Sequence, residues 1–386
     1  WDMAFARDDT GIRADLDALA SQVHPVFMLP PVAASAFGAV IAGQMALAPL
    51  LLHAAATFFA VYTAHVKDGY VDFYGRGEDD DHPLTAAGCR RALVGAGVGF
   101  VVAGVGLWVV VGPGAAALAL PMWLLGFLHA PQFDTNPVTT TLGYPLGIAT
   151  AIVGGFYAQA GAVDGDVLAF AVVFAVTLAG VKIIDDATDY DYDRSIDKRT
   201  VAVVMGRTRA RRLAYALLYA GFTLVVVFAV DGRFPPAAPA AAVAFGAVAA
   251  VTTRADAELA TMLLVRGAYV FLALLVTSVW FRPLAGVALP DIGVLGPYTY
   301  LATEVAFGTL ALALLFRVDA LRRAARTILV LYPLAFVWDW YTLTVGVFAI
   351  RLRTGVDLAG IPIEEHLFMI VVPALVIGIH ETLLDL

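Results

Sequence analysis

Long apolar runs, separated by short polar segments, recur along the whole of this 386-residue chain. Each run is about as long as a helix that crosses a bilayer. The twelve runs lie at roughly 26–44, 46–66, 90–111, 114–130, 142–161, 165–184, 212–230, 236–252, 261–281, 298–316, 327–349 and 366–384. Because 61% of the residues are hydrophobic, a soluble protein of this size could not bury them all. The sequence therefore predicts an all-α fold, a polytopic bundle of about twelve helices in the lipid bilayer.

The distribution of Lys and Arg predicts how such a bundle is oriented. If the N-terminus is cytoplasmic and the helices alternate, the outer loops hold Arg233, Arg282, Arg351 and Arg353. The larger basic groups then face the cytoplasm, as the positive-inside rule requires. We expect an integral protein of the cell membrane with its N-terminus and its Asp-rich loops in the cytoplasm. Residues 1–24 show no signal-peptide pattern and could form an interfacial helix on the membrane.

Composition also excludes several classes of protein. The single cysteine, Cys89, rules out a disulfide framework within one chain, and the seven histidines are scattered rather than clustered with cysteine. The formal net charge of −8 gives no support for binding nucleic acid, so we expect no nucleic-acid partner.

The most informative polar segment is 181–199, VKIIDDATDYDYDRSIDKR, which follows an apolar run. Asp185, Asp189 and Asp193 are spaced four residues apart, so a helix would place all three on one face. Like charges repel there unless a cation holds them, and Mg²⁺ prefers carboxylate oxygens and bridges to phosphates. Lys198 and Arg199 follow directly and could donate to a phosphate. The alternative is an acidic, solvated loop.

A second acidic segment, 67–85, reads KDGYVDFYGRGEDDDHPLT and falls on the same side of the predicted membrane. Asp68 and Asp72 are again four residues apart at the end of a helix, and a Gly-rich acidic loop follows. Two acidic clusters that face one compartment indicate a site for a magnesium diphosphate at the membrane surface. The alternative is a pair of unrelated solvated loops.

The two acidic segments resemble the Asp-rich motifs of the UbiA superfamily of intramembrane prenyltransferases. The second motif matches as DDATDYDYDRSIDKRTVAVVMGRTRA, and the resemblance covers about residues 24–282. The first motif departs from the family's N-D-x-x-D-x-x-x-D: its Asn is missing, and Asp72 is the best-matched carboxylate. Residues 136–145, NPVTTTLGYP, could line the cavity of such a protein.

The resemblance implies nine helices and a mechanism. Two Mg²⁺ ions, held by Asp68 and Asp72 on one side and by Asp185, Asp189 and Asp193 on the other, would bind an isoprenoid diphosphate. Lys198 and Arg199 would help to neutralise the leaving group. The donor would ionise to an allylic cation in an apolar cavity, a lipophilic acceptor would attack it, and a proton would be lost.

After a connector at 283–297, three helices carry ionisable residues inside apolar runs. These residues are Glu304, Asp339, Glu364 and Glu365. Ionisable groups in a membrane span cost several kcal/mol, so they are functional candidates by default. Carboxyl groups clustered among Trp and Tyr could act as proton donors. The alternative is a set of helix-packing polar pairs beside an interfacial aromatic belt.

Residues 297–386 resemble the lycopene cyclase domain of the heterodimeric, membrane-spanning kind. The resemblance lies in PYTYL with Glu304, in the Trp-Asp pair at Asp339, and in the P-x-E-E run that ends at Glu365. It implies that an acidic residue protonates the terminal double bond of a linear carotene, after which the cation closes to a ring. Cyclases of this kind contain two three-helix units, whereas this chain has one. We therefore expect a homodimer, a second cyclase subunit, or a contribution from the other half of the chain.

Together the two resemblances predict domains at 1–24, 25–282, 283–297 and 298–386 and a role in carotenoid biosynthesis. The predicted reaction is transfer of a prenyl group to a polyene such as lycopene, closure of its end groups, or both. Two alternatives stay open: a prenyltransferase for a quinone precursor or an archaeal lipid, and a non-catalytic carotenoid-binding subunit.

Overall fold

The computed structural model describes residues 4–8, 10–286 and 292–384, and it divides into two compact units, 1–285 and 286–386. We call them the N-terminal unit and the C-terminal unit. The described helices of the N-terminal unit are α1 Ile12–Ala20, α2 Pro25–Ile41, α3 Leu47–Tyr70, α4 Ala86–Val110, α5 Pro113–Phe127, α6 Pro137–Ala160, α7 Gly165–Thr188, α8 Tyr190–Ser195, α9 Val201–Met205, α10 Arg207–Val230, α11 Pro239–Thr252 and α12 Ala257–Phe281. A wider π-helical turn, Val71–Arg76, extends α3, and a 3₁₀ turn, Phe133–Thr135, precedes α6.

The C-terminal unit contains three long helices, as its sequence predicts. A 3₁₀ segment at Ile292–Tyr298 leads into α13 Thr299–Arg317, followed by α14 Leu321–Thr344 and α15 Ile363–Leu384. Between α14 and α15 the short strands β1 Asp357–Leu358 and β2 Ile361–Pro362 pair antiparallel, with Leu358 opposite Ile361. Ala359 and Gly360, at φ 49° and 87°, form the tight turn between them.

All twelve predicted apolar runs coincide with helices, and the prediction of an all-α membrane bundle is confirmed. Within the described residues, eight helices are long and apolar enough to cross a membrane, and the bent pair α1–α2 would make a ninth. Helices α5 and α11 are apolar but shorter. The count of twelve spans stays a prediction.

Helix starts follow from local sequence chemistry. Thr85, Asn136, Asp164 and Asp256 each accept a hydrogen bond from a backbone N–H in the first turn of the helix that follows. Such caps satisfy donors that have no partner inside the helix. Proline occupies the first turn of α2, α5, α6 and α11, where its missing N–H costs nothing.

Close contact between helices depends on small residues. A Cβ added at Gly155 of α6 would lie 2.0 Å from the carbonyl oxygen of Ser35 in α2. A Cβ added at Gly38 of α2 would lie 2.1 Å from the carbonyl oxygen of Ile152. Small residues allow membrane helices to approach this closely. The α2–α6 pair therefore forms one tightly packed wall of the N-terminal unit.

The segment before α1 is tied to the loop that follows the first Asp motif. The backbone of Ala6 bridges to Leu84, and Asp15 of α1 accepts hydrogen bonds from the N–H groups of Phe5 and Ala6 at 2.7 and 2.9 Å. The predicted helix in residues 1–24 is therefore present as α1. Its placement on the membrane surface stays a prediction.

Candidate functional site

A cavity of about 700 Å³ lies inside the N-terminal unit. Along α3 its wall is a stripe in which Val61, Ala64 and His65 are followed by Asp68 and Asp72. Each of these residues lies three or four positions from another of the set, so they occupy one face of the helix. The stripe changes from apolar to acidic toward the C-terminal end of α3.

Helix α7 supplies a second stripe with the same polarity. Phe174, Leu178 and Val181 line the cavity, and Lys182 and Asp185 follow them. The carboxylates that the sequence predicts at Asp68, Asp72 and Asp185 are therefore brought together at one cavity. Helices α2, α5, α6 and α12 contribute the remaining, mostly apolar, walls, and Gly143 and Tyr144 come from the predicted 136–145 segment.

Lys182 is a functional candidate that the sequence analysis missed. Its Nζ lies 3.1 Å from Asp185 Oδ2 and also pairs with Asp186 Oδ1. The Asp186 side chain is 2% exposed, so this pair is largely removed from solvent. The sequence does contain a signal for Lys182: it is a lysine at the end of an apolar run, one turn before two aspartates.

The expectation that Asp185, Asp189 and Asp193 share one helical face is wrong. Helix α7 ends at Thr188, and Asp189 (φ −94°, ψ 17°) separates it from the short α8. Because the helix breaks there, the spacing of four no longer fixes one face. Asp189 is exposed, whereas Asp193 is buried.

The chain turns back after α8 and returns Lys198 to Asp193. Asp197 adopts the left-handed conformation (φ 58°), the backbone N–H of Lys198 donates to the Asp193 carbonyl at 2.9 Å, and its Nζ lies 3.5 Å from Asp193 Oδ1. Burial raises the pKa of the Asp193 carboxyl, and Lys198 offsets only part of that rise. Burial alone would lower the pKa of Lys198, but Asp193 raises it above its ordinary value. Neither Lys198 nor the exposed Arg199 is among the residues that line the cavity.

The first Asp motif is organised by Arg76. Its guanidinium lies 3.3 Å from Asp72, 3.5 Å from Glu78 and 2.7 Å from Asp134. The π-helical turn Val71–Arg76 carries both Asp72 and Arg76, and such turns are frequent at functional sites. Arg76 and Asp134 were not singled out from the sequence.

Two contacts join the two acidic segments. Asp134 pairs with Arg76 of the first segment, and its carbonyl accepts a hydrogen bond of 2.8 Å from the backbone N–H of Arg199. Tyr192 of the second segment also has Glu78 of the first as a neighbour. Burial and the Glu78 carboxylate raise the pKa of the Tyr192 hydroxyl to about 12. The two Asp-rich segments are therefore neighbours at one end of the N-terminal unit.

The donor set fits Mg²⁺. Asp186 Oδ2 and Asp193 Oδ2 are buried and accept no hydrogen bond within the described residues. In that same part of the chain, no three carboxylate, histidine or cysteine side chains converge into a metal cage. Mg²⁺ commonly takes only one or two protein carboxylates and completes its shell with water and substrate phosphate. Separate carboxylates around a shared space are compatible with that mode of binding.

In the C-terminal unit three of the four predicted carboxyl groups come together. Tyr300 donates a hydrogen bond of 2.8 Å to Glu365 Oε1, and Asp339 is close enough to Glu365 to interact with it electrostatically. Glu304, one turn after Tyr300 on α13, is close enough to interact with both Tyr300 and Glu365. Glu304 and Glu365 are buried, and Glu304 Oε2 has no hydrogen-bond partner in the described chain.

Glu364 lies apart from this group. Its Oε1 accepts a hydrogen bond of 2.6 Å from the backbone N–H of Thr354, which orders the loop before β1. The adjacent His366 uses both ring nitrogens: Nδ1 contacts Tyr332 Oη at 2.6 Å, and Nε2 contacts the Leu358 carbonyl at 2.8 Å. These bonds fasten the start of α15 to α14 and to β1.

Comparison with known families agrees with this geometry. Residues 28–260 match the UbiA prenyltransferase family, and residues 297–383 match the lycopene cyclase family. The chain belongs to the UbiA prenyltransferase family and carries a lycopene cyclase domain after it. Its membrane-length helices and this family make it an integral membrane protein. No curated protein sequence matches the chain.

Solved structures show the same fold for the N-terminal two thirds. A digeranylgeranylglyceryl phosphate synthase is 14% identical with a TM-score of 0.55, covering 69% of this chain and 99% of its own. A UbiA homologue from Aeropyrum pernix K1 is 14% identical with a TM-score of 0.55, covering 68% and 100%. A UbiA homologue from Archaeoglobus fulgidus, bound to DMAPP and Mg²⁺, is 16% identical with a TM-score of 0.51, covering 69% and 98%.

Proposed function

We propose that the N-terminal unit transfers a prenyl group from an isoprenoid diphosphate to the end of a polyene such as lycopene. The observation that carries this proposal is the polarity of the cavity, acidic and basic at one end and apolar along the rest. Such a cavity accommodates a charged head group and a hydrocarbon chain at once. The UbiA homologue bound to DMAPP and Mg²⁺ supports the assignment of the donor class.

The predicted metal ligands are Asp68, Asp72, Asp185, Asp189 and Asp193. When bound, Mg²⁺ would neutralise the diphosphate and make it a better leaving group. The protein adds fixed positive charge: Lys182 lies at the cavity beside Asp185, and Lys198 lies beside Asp193. Arg199 is exposed next to Lys198 and would bind the diphosphate as it departs.

The apolar walls perform the second task, which is to keep water from the allylic cation. Phe174, Leu178 and Val181 extend from Lys182 along the cavity. The double bond of an acceptor held there would meet the cation before water does. Excluding water from such a site protects a reactive intermediate.

We propose further that the C-terminal unit protonates and closes a carotene end group. Glu304 and Asp339 are each close enough to Glu365 to interact with it electrostatically, and clustered carboxyl groups of this kind are suited to proton donation. Glu304 and Tyr300 complete this group, and Glu364 orders the adjoining loop. Since one three-helix unit is present, a homodimer or a second cyclase subunit would supply the rest of that site.

The assignment of membrane, orientation and domain limits belongs to the same proposal. We infer a cell-membrane protein whose Asp-rich loops face the cytoplasm. The two functional domains would occupy 25–282 and 298–386.

The experiment that tests the transferase proposal uses membranes containing the full chain, Mg²⁺ and isotopically labelled dimethylallyl diphosphate. Lycopene, a quinone precursor and an archaeal glyceryl lipid are offered as competing acceptors. Label recovered in a carotenoid supports the proposal. Label recovered in the quinone or the glyceryl lipid, with none in the carotenoid, would replace the acceptor that we propose.

A further inference from the structure

Four imidazoles line the cavity, and three of them, His24, His65 and His129, form a group beside its acidic end. His65 lies on α3 one turn before Asp68, His24 immediately precedes α2, and His129 follows α5. The His24 and His65 rings are 5.0 Å apart between centroids, and His129 is close enough to interact electrostatically with His65. His65 therefore occupies the boundary between the carboxylates of α3 and its apolar stripe.

These imidazoles differ from the structural histidines of the chain. The ring nitrogens of these three histidines form no hydrogen bond with another described residue. By contrast, buried His53 bonds to Ser35 Oγ at 2.7 Å, and His366 uses both nitrogens. An unpaired ring nitrogen that faces a cavity is available to accept a proton from a ligand.

The fourth imidazole, His82, contacts the Leu84 carbonyl through Nδ1, and its unpaired Nε2 lies against Gly69, past Asp68 and away from the apolar stripe. Most other polar groups at the cavity are already engaged. The hydroxyl groups of Tyr144 and Tyr269 both point to backbone carbonyls, those of Phe27 and Val26, and a hydroxyl is a poor base. Lys182 is paired with Asp185 and Asp186. The carboxylates at the acidic end are the proposed magnesium ligands. His65 is thus the best-placed base beside the apolar stripe.

The geometry points to His65 as the proton acceptor that ends prenyl transfer, with His24 and His129 beside it. This inference rests on the proposed function, because it needs a cation in the cavity. General-base assistance of this kind requires a group within hydrogen-bonding reach of the proton that is lost.

The C–O bond of the donor breaks, and its electron pair leaves with the diphosphate. The terminal double bond of the polyene uses its π electrons to form the new C–C bond, which leaves a tertiary cation on the acceptor. A neighbouring C–H bond then breaks, its electrons form a new double bond, and the proton goes to a ring nitrogen of His65.

The test compares the full chain with His65→Ala and His65→Asn, using labelled dimethylallyl diphosphate and lycopene. Diphosphate release, elongated alkene and elongated tertiary alcohol are measured together. Since ionisation does not need the base, diphosphate release should stay within about threefold while alkene formation falls by roughly 10²-fold. Water should capture the stranded cation, so the ratio of alcohol to alkene should rise. His380→Asn, an exposed histidine of the C-terminal unit, is the matched control and should leave the ratio unchanged.

Chemical rescue separates a base from a packing residue. Imidazole should restore alkene formation to His65→Ala, whereas pyrazole, which has a similar shape but is a much weaker base, should not. An unchanged ratio of alcohol to alkene in both variants would overturn the inference. So would an equal loss of diphosphate release and alkene that imidazole does not reverse, because that result indicates structural damage.

Asp72→Asn, measured in parallel, reports on the proposed function itself. Loss of diphosphate release in that variant supports the magnesium-dependent transferase whatever His65 does. Full release in Asp72→Asn would argue against the proposed metal site, whereas wild-type product ratios in the His65 variants would argue only against the base.

Discussion

The carboxyl groups of the two units have different neighbours. In the N-terminal unit Asp72, Asp185, Asp186 and Asp193 each pair with a Lys or Arg side chain. In the C-terminal unit, no ion pair among the described residues includes Glu304, Asp339 or Glu365. Tyr300 donates to Glu365 instead, and Glu304 and Asp339 are each close enough to Glu365 to interact with it electrostatically.

This difference separates two kinds of acid chemistry. Carboxylates that are interleaved with cations suit a site that binds a metal and a diphosphate. Carboxyl groups that face one another share protons and suit a site that protonates a double bond. On the proposed function, one chain contains both kinds of site, each inside its own bundle of helices.

The largest effect should follow from removing Asp193, a buried carboxylate of the N-terminal unit that we propose as a metal ligand. Asp193→Asn should lower prenyl transfer by about 10³-fold, because it removes an oxygen that has no other partner and weakens metal binding. The rate at which label passes from dimethylallyl diphosphate to the acceptor measures this fall in prenyl transfer. The matched control is Asp191→Asn, since Asp191 is 82% exposed in a surface pair with Arg207. Equal losses in the two variants would contradict the assignment of Asp193.

Lys182→Met should lower prenyl transfer by roughly 10²-fold, because it removes fixed positive charge at the cavity. It should also destabilise the protein by about 3 kcal/mol, since Asp186 would be left buried without its cation. The thermal midpoint of the detergent-solubilised protein measures the second effect. Adding Asp186→Asn should recover stability but not activity. If the double variant recovers both, Lys182 acts only in folding.

In the C-terminal unit, Glu365→Gln should reduce ring formation by about 10²-fold, because it removes the carboxyl group around which Tyr300, Glu304 and Asp339 gather, the proposed proton donor. Prenyl transfer should be unaffected. Glu364→Gln is the neighbouring control and should change ring formation much less, because Glu364 orders a loop rather than joining the group. Chromatography of the carotenoids, with absorption spectra, separates cyclic from linear ends. A larger loss in the Glu364 variant would reverse these two roles.

The smallest effect should come from Tyr300→Phe, which removes one hydrogen bond to Glu365. A loss of about 1 kcal/mol corresponds to roughly five- to tenfold slower ring formation. The same chromatographic assay measures it. The control is Tyr332→Phe, which alters the contact with His366 instead and should leave the rate of ring formation closer to wild type. A slower rate in the Tyr332 variant than in the Tyr300 variant would contradict the role of Tyr300.

The sequence predicted the helices well because apolar run length directly reflects the thickness of a bilayer. It also predicted that Asp68 and Asp72 share a face, because α3 stays helical to Tyr70 and continues as the turn that carries Asp72. It was wrong about Asp185, Asp189 and Asp193, because spacing cannot show where a helix breaks.

The cationic partners were missed for a different reason. Arg76 reaches Asp134, which is 58 residues away in sequence, and only the folded chain brings the two together. Likewise, Glu364 and Glu365 are adjacent in sequence, and nothing in the sequence shows that their side chains bond to different partners. The local sequence pattern predicts the helices, whereas the partner of a given side chain depends on tertiary contacts.

The most direct measurement is the mass of the carotenoids from a lycopene-producing host that expresses the full chain. Lycopene made heavier by one or two five-carbon units, and unchanged lycopene when the host expresses Asp193→Asn, is the predicted result. Unchanged lycopene from the wild-type chain, in membranes that still transfer label from dimethylallyl diphosphate to another lipid, would contradict the account.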